Sequence, residues 1–264
     1  MKISVVRSLS DFHAAVGGDM SRSGQCLSVF RGQRDATWPL VPAIVREPRF
    51  HGKASLTKNL NNPNDKSDER RLITLFRDLA VSLLPQWTFH GSPQEVLWKH
   101  ILLSQHYRVP TRLLDWSTNP LVALFFAVRG AVTTCDAHCH HDKELCDEAQ
   151  RHHSAVYVLR SRESFSVAAL AARNPKAPFY THRNDPGIIR PPSIDRRFIA
   201  QSSVFAISRK PEVPIEPDAE VLIEADARDR ILQELDVYGI NASTMFPDLE
   251  HLGEYLEWFV PSSR

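Results

Sequence analysis

The most apolar stretch of the chain is residues 121–128, which contain no polar side chain at either the helical or the strand period. Ser117, Thr118 and Asn119 precede it as candidate caps, and Pro120 suits the first position of a helix. The stretch is far too short to span a bilayer, so the pattern predicts a short helix that is buried on all sides. The start of such a helix presents free N–H groups and a partial positive charge, which favours the binding of an anion.

Apolar periodicity in the rest of the chain predicts an α+β fold with one domain over residues 1–264. The predicted strands are 3–6, 26–30, 155–159, 203–208 and 220–224. The predicted helices begin at Ser10, Ser67, Ser92, Asn119, Asp226 and Asp248. Because helices cluster between the second and third strands, the pattern indicates a helical lobe, about 67–128, inserted between the early and late strands.

Composition and charge narrow the classes of function. The chain has 264 residues, a net charge of +1 and 24% charged residues, so no global field favours nucleic acid or a membrane. The first residues, MKISVVRSLSDF, contain only a short apolar run, which predicts no secretory signal. With four cysteines and no signal, we expect reduced thiols and a cytoplasmic protein. Neither G-x-G-x-x-G nor G-x-x-x-x-G-K-[ST] occurs, which argues against a Rossmann or P-loop nucleotide site.

Polar residues with chemical capacity crowd the segment before the apolar helix. They are Gln105, His106, Thr111, Arg112, Asp115, Trp116, Ser117 and Thr118. Arg112 and Asp115 are expected either to pair and fix this segment or to bind a charged ligand. A further candidate is Arg31, which ends a predicted strand beside Gly32 and Gln33. The glycine would let a ligand approach the backbone, and the alternative is that Arg31 braces the turn.

Residues 130–153 contain three of the four cysteines and several histidines. Cys135, His138, Cys139 and Cys146 would supply the four tetrahedral ligands of a structural zinc ion. Their spacing fits no standard zinc finger, so the alternative is a solvated insertion.

Residues 173–197 form a Pro-rich segment with six basic residues against two acidic ones, a difference of +4. This charge predicts either a polyanionic partner, such as DNA, RNA or a nucleotide, or a solvated loop.

Three stretches of the chain are similar to the FRG-domain family, which is named for a Phe/Tyr-Arg-Gly motif. They are FRGQ at 30–33, SQHYRVPTRLLDWSTNPLVALFFA at 104–127 and RRFIAQSSVF at 196–205. The similarity continues in Trp38, Leu40 and Pro42 and in GINASTMFPDLEHL at 239–252, so it covers nearly the whole chain.

The order of polar groups along the chain also resembles the three-part signature of the ADP-ribosyltransferase superfamily. By that resemblance, Arg31 would hold NAD phosphate or ribose. Ser117 or Thr118 would orient the nicotinamide ribose, and Gln201, opening a late strand, would act on that ribose or on the acceptor. The implied fold is an ADP-ribosyltransferase-like mixed β core with the helical lobe inserted into it. The implied NAD-binding residues are Arg31, Gln33, Gln105, His106, Thr111, Arg112, Asp115, Trp116 and Thr118.

The resemblance implies an NAD-using ADP-ribosyltransferase or NAD glycohydrolase with an oxocarbenium-like transition state. A neutral Gln201 would stabilise that cation less well than a glutamate, so Asp115 is the alternative. The acceptor would be a protein, a nucleic acid or water, and a toxin or phage-defence role would fit. Two other classes stay open: a nucleic-acid-binding or nuclease module, and a non-catalytic ligand-binding domain. The NAD hypothesis requires Arg31, Ser117 and Gln201 to meet in one cleft.

Overall fold

The computed structural model describes residues 2–17, 26–46, 67–130, 153–172 and 186–260. The strands in these ranges are β1 (Lys2–Val6), β2 (Leu27–Gln33), β3 (Leu113–Ser117), β4 (Ser154–Ser161), β5 (Ser164–Ser166), β6 (Gly187–Arg190), β7 (Ser203–Ile207) and β8 (Ala219–Ile223). The α-helices are α1 (Leu9–Gly17), α2 (Ala43–Arg46), α3 (Asp68–Leu79), α4 (Pro93–His106), α5 (Pro120–Val128), α6 (Val167–Ala171), α7 (Arg196–Ala200), α8 (Arg228–Val237), α9 (Ala242–Met245) and α10 (Leu249–Phe259). None of the described helices is long and apolar enough to cross a membrane.

All eight strands belong to one mixed sheet in the order β1-β8-β4-β2-β3-β7-β6-β5, consistent with the predicted α+β class. The β1–β8 and β5–β6 pairs are parallel, and the remaining pairs are antiparallel. Every neighbouring pair except one shares three or more residue pairs. The exception is β2 with β3, which are joined at the single pair Phe30–Ser117. The sheet therefore consists of two four-stranded halves that meet at one rung.

Residues directly opposite each other in a ladder share a face of the sheet, and this divides the core into three clusters. On one face, the first half-sheet packs against α1, α5 and α8. On the same face, the second half-sheet packs against α3, α4, α6 and α7. The opposite face carries Val29, Leu114 and Trp116 and is covered near Leu40 and Ile215. Two helical groups therefore stand side by side on one face, above the junction of the half-sheets.

Side-chain caps start the main helices where the sequence predicted them. The Ser67 hydroxyl caps α3, and Ser92 forms a reciprocal capping box with Glu95 at α4. Asn119 caps the buried helix α5, and Asp248 caps α10. Such caps depend on a few neighbouring residues, which explains why these predictions are confirmed.

Gly32, the glycine of the Phe-Arg-Gly motif, lies where β2 runs closest to α5. A Cβ atom on residue 32 would lie 1.9 Å from the carbonyl oxygen of Ala123 and 2.6 Å from the amide nitrogen of Ala127. Both neighbouring atoms belong to the helix backbone and cannot rotate away. Gly32 therefore serves the packing of α5 on the sheet. It also lines the cleft described below, so its role in ligand access stays a prediction.

The sequence missed three strands, and one of them is central. Residues 113–117 form β3 inside the predicted helical lobe, so that lobe is interrupted by a strand. β3 has buried residues on both of its faces, which removes the alternation that marks a half-buried strand. β5 and β6 are very short, and β6 lies within the basic segment 173–197, of which residues 173–185 fall outside the described ranges.

Other predicted positions need smaller corrections. α1 begins at Leu9 rather than Ser10, and α8 begins at Arg228, after a 3₁₀ turn that contains Asp226. The candidate zinc ligands Cys135, His138, Cys139 and Cys146 lie outside the described residues.

Candidate functional site: an arginine-lined cleft

A cleft of about 340 Å³ opens where the two half-sheets and their helical groups meet. Its floor is the β2–β3 junction, with Phe30 and Ser117 at the shared rung. Ala123 and Phe126 of α5 form one wall. The ends of α4 and α7 and the turn after α9 contribute to the other side. The cleft therefore draws residues from distant parts of the sequence.

The cleft is strongly cationic. Its lining includes five arginines: Arg31, Arg34, Arg46, Arg108 and Arg197. Asp115 is the one carboxylate among the described residues that line it, so the formal charge of the lining is +4. Concentrated positive charge in a concave, partly desolvated site favours phosphate or carboxylate ligands. The chain as a whole carries only +1, so this charge is local.

Arg31 lies at the centre of this charge. Its Nη1 donates a hydrogen bond of 2.7 Å to the backbone carbonyl of Asp115, which bridges β2 and β3 beside their single shared rung. Its Nε is buried and has no hydrogen-bond partner among the described residues. Burial, reinforced by the nearby Arg46, lowers the pKa of Arg31 to about 10, so the guanidinium stays charged at pH 7. A buried charged donor without a partner is suited to an anionic ligand.

The other arginines differ in how firmly they are held. Arg34 donates to the carbonyl oxygen of Gly130 and lies over the ring of Trp38. Arg197 pairs with Asp248 at 2.6 Å. The side chains of Arg46 and Arg108 have no hydrogen bond or ion pair within the described part of the chain and remain open to a ligand. Arg108 also has a positive φ of 62°, which is unusual for a residue other than glycine.

Asp115 is oriented by a short chain of hydrogen bonds. Its Oδ2 accepts from the side-chain amide of Gln105 at 2.7 Å, and the Oε1 of Gln105 accepts from the Thr111 hydroxyl at 2.7 Å. The Thr111 oxygen in turn accepts from the amide of Leu113 at 3.1 Å, which anchors the chain to β3. Asp115 itself is exposed to the cleft. This arrangement fixes one carboxylate opposite a group of arginines.

The predicted pair between Arg112 and Asp115 is wrong. Arg112 instead forms a bidentate pair with Glu69 of α3, and its Nε lies 2.7 Å from Oε1 of Glu69. Both side chains are buried, and neither lines the cleft. The physical reason is the extended backbone: residue 115 follows residue 112 by three positions, an odd offset, so their side chains leave the backbone on opposite faces.

Ser117 and Gln201 line the cleft together with Arg31. The Ser117 hydroxyl donates to the carbonyl oxygen of Gln201 at 2.8 Å and accepts from the amide of Asn119 at 3.0 Å, so it ties α5 to the α7–β7 turn. The sequence suggested that Gln201 opens a strand, but this prediction is wrong. Gln201 follows the last residue of α7, and its side-chain nitrogen donates to the carbonyl oxygen of Met245 at 3.0 Å.

His106, the last residue of α4, also lines the cleft. Its side chain is only 7% exposed, and its Nε2 lies 3.3 Å from Oδ1 of Asp195. The hydroxyl of Tyr107 donates to the other oxygen of Asp195 at 3.3 Å. Burial lowers the pKa of His106, and the nearby Asp195 opposes that effect. A mainly neutral imidazole therefore faces the cleft near pH 7.

The sequence identified part of this site. The predicted residues that line the cleft are Arg31, Gln33, Gln105, His106, Asp115, Trp116, Ser117 and Gln201, whereas Thr111, Arg112 and Thr118 do not line it. No pattern in the sequence singled out Arg34, Arg46, Arg108 or Phe246, and Arg197 and Asp195 counted only toward the charge of the basic segment. Isolated arginines usually indicate a solvated surface, so only the fold shows that they meet.

Residues 27–135 match the sequence model of the FRG domain. Over these residues the chain is similar to the FRG domain. The match includes Arg31, His106 and Asp115 of the cleft but ends before Arg197 and Gln201. Neither the comparison with curated proteins nor the comparison with solved structures returned a match. The chemistry of the cleft must therefore be argued from its own residues.

Proposed function

We propose that the protein uses NAD, cleaving the bond between nicotinamide and ribose as an ADP-ribosyltransferase or an NAD glycohydrolase. The observation that carries the proposal is the convergence of five arginines around one oriented carboxylate. A dinucleotide offers two phosphates to the arginines and a ribose on which positive charge develops near a carboxylate. We extend the proposal to the fold, with the mixed sheet as an ADP-ribosyltransferase-like core.

The pyrophosphate of NAD would bind at Arg31, whose buried Nε is an unused donor. Arg46 and Arg108, with no side-chain partner in the described chain, would add charge from α2 and from the end of α4. Trp38 is exposed at the cleft and offers a flat aromatic face for a base or the nicotinamide ring. These contacts account for binding and orientation.

Asp115 would stabilise the oxocarbenium-like transition state. The amide of Gln105 holds one of its oxygens, so the carboxylate needs little reorganisation during the reaction. Gln201 is neutral and uses its side-chain nitrogen on Met245, which leaves its Oε1 to accept from a ribose hydroxyl. The proposal thus assigns charge stabilisation to Asp115 and positioning to Gln201.

The shape of the cleft favours this proposal over a nucleic-acid site. The arginines surround a concavity of about 340 Å³ and do not form an extended stripe for a phosphodiester backbone. A two-metal nuclease needs several clustered carboxylates, and the described lining contains only Asp115. We further propose that the protein acts in the cytoplasm, where consumption of NAD would suit a toxin or a phage-defence effector.

The test is nicotinamide release and NAD binding by the purified chain. Arg31→Ala should weaken NAD binding roughly 30-fold, because a charged hydrogen bond contributes about 2 kcal/mol. Asp115→Asn should keep binding and lower the rate of nicotinamide release on the order of 100-fold. The matched control is Arg230→Ala, which removes an exposed arginine of α8 outside the cleft. A wild-type chain that releases no nicotinamide, or an Arg31→Ala chain that binds NAD normally, would overturn the proposal.

A further inference from the structure

His106 and Asp195 form a histidine–carboxylate pair at the edge of the cleft. His106 ends α4, and Asp195 caps the start of α7 by accepting from the amide of Arg197 at 2.8 Å. The two side chains are 7% and 17% exposed, so they are largely withdrawn from solvent. His106 precedes β3 in the sequence and Asp195 follows it, and the fold brings the two residues together.

The geometry of the pair leaves a hydrogen-bonding capacity unused. The Nε2 of His106 is buried and 3.3 Å from Oδ1 of Asp195, but its orientation gives no hydrogen bond. A small rotation of the ring would complete that bond, and catalytic hydrogen bonds commonly tighten only in the substrate complex. Phe198 and Tyr107 contact the ring edge-on, with centroids 4.9 and 5.2 Å away, and limit larger movements.

Burial and the neighbouring charges together set the pKa of His106 and favour a neutral ring. Burial lowers its pKa most strongly, Asp195 and Asp115 raise it, and Arg197 lowers it. Tyr107 stays protonated, because burial and Asp195 raise its pKa. With Asp195 accepting from Nε2–H, the neutral imidazole carries its free lone pair on Nδ1, which has no partner among the described residues.

We propose that His106, held by Asp195, is the base that deprotonates the acceptor; this rests on the proposed NAD-cleaving function. The C1′–N bond of NAD breaks, and nicotinamide leaves as a neutral molecule with the electron pair. An O–H group of the acceptor or of water forms the new C1′–O bond and gives its proton to Nδ1 of His106. The resulting imidazolium is stabilised by the carboxylate of Asp195.

The kinetic test compares His106→Gln and Asp195→Asn with the wild-type chain across pH. His106→Gln should lower kcat for nicotinamide release about 100-fold and leave KM within about twofold. Asparagine is also a good helix cap, so Asp195→Asn keeps the start of α7 and removes only the charge. It should move the acid limb of the rate profile to lower pH. The control is His13→Gln, on the exposed side of α1. An unchanged kcat in His106→Gln overturns the proposal.

A second measurement separates failure of this pair from failure of the proposed function. In an NMR titration without NAD, the imidazole signal that disappears in His106→Gln should titrate at lower pH in Asp195→Asn than in the wild type. If that signal titrates at the same pH in both chains, Asp195 does not act on His106, and the proposed pair is overturned even if the chain cleaves NAD. A wild type that cleaves no NAD overturns both proposals as reactions, and the titration then shows whether the pair itself exists.

Discussion

Arg108 occupies a backbone conformation that normally selects glycine. It follows the last turn of α4 with φ 62°, and the amide of Val109 closes the helix by donating to the carbonyl of Ser104 at 2.9 Å. A side chain in this left-handed region costs roughly 1 kcal/mol. Since Arg108 also lines the cleft, the strain is retained at a position that faces the ligand.

Arg108→Gly should therefore stabilise the fold while weakening the site. We expect the free energy of unfolding to rise by about 1 kcal/mol and the affinity for ADP-ribose to fall about tenfold. Urea unfolding and calorimetric titration measure the two effects. Arg108→Ala is the matched control, because it removes the charge and keeps the strain, so it should weaken binding with no gain in stability. Unaltered affinity in both variants would exclude Arg108 from ligand binding.

Single residues also show the limit of reasoning from local sequence. Glu69 and Arg112 form the buried ion pair, yet Glu69 precedes its partner by 43 positions and looks like a first-turn helix residue. Nothing near Arg112 indicates that distant carboxylate, so the nearer Asp115 was the natural partner to predict. Because Arg112 pairs with Glu69, the Asp115 carboxylate is not part of that buried ion pair, and it is exposed in the cleft.

At the scale of elements, the predictions were correct where the interacting residues are close in sequence and wrong where they are far apart. Helix starts with local caps, such as Ser92 with Glu95, were predicted correctly. β3 was missed because its pairing partner β7 lies far along the chain and because burial on both faces hides the strand period. The site followed the same rule: the motif residue Arg31 was found, whereas the exposed Arg46 carries no local signal that it faces a cleft.

The contact between β2 and α5 gives a prediction at this scale. Gly32→Ala should lower the free energy of unfolding by about 3 kcal/mol, because the new methyl group would overlap the helix backbone at Ala123. Gly17→Ala is the control, since a Cβ atom there meets nothing within 4 Å. Chemical denaturation of both variants compares them directly. Equal stability of the two alanine variants would show that α5 does not pack against β2 as described.

At the scale of the whole molecule, buried histidines link stability to pH. Burial lowers the pKa of both His100 and His106 from the ordinary value of 6.5. The unfolded chain therefore binds protons first as the pH falls. Stability should be constant above pH 6.5, decrease below it, and stop responding to these groups once the pH passes their folded pKa.

The slope of unfolding free energy against pH, measured from pH 7 to 5, tests this expectation. His100→Gln should reduce the slope whatever it does to the absolute stability, since it removes one of the two described histidines with a lowered pKa. His106→Gln should reduce it in the same way. Carboxylates with lowered pKa, such as Glu95, act in a more acidic window and do not account for a slope near pH 6. A slope that neither variant changes would contradict the linkage.

The single rung between Phe30 and Ser117 makes the cleft a seam between two half-sheets. Arg31 belongs to one half and Asp115 to the other, and their hydrogen bond ties the two halves together across the seam. A molecule that touches both residues would fasten the halves to each other, so cohesion of the domain and occupancy of the cleft become a single thermodynamic quantity. Thermal denaturation thus becomes a way to screen for ligands, and compounds that bridge the seam should increase the melting temperature.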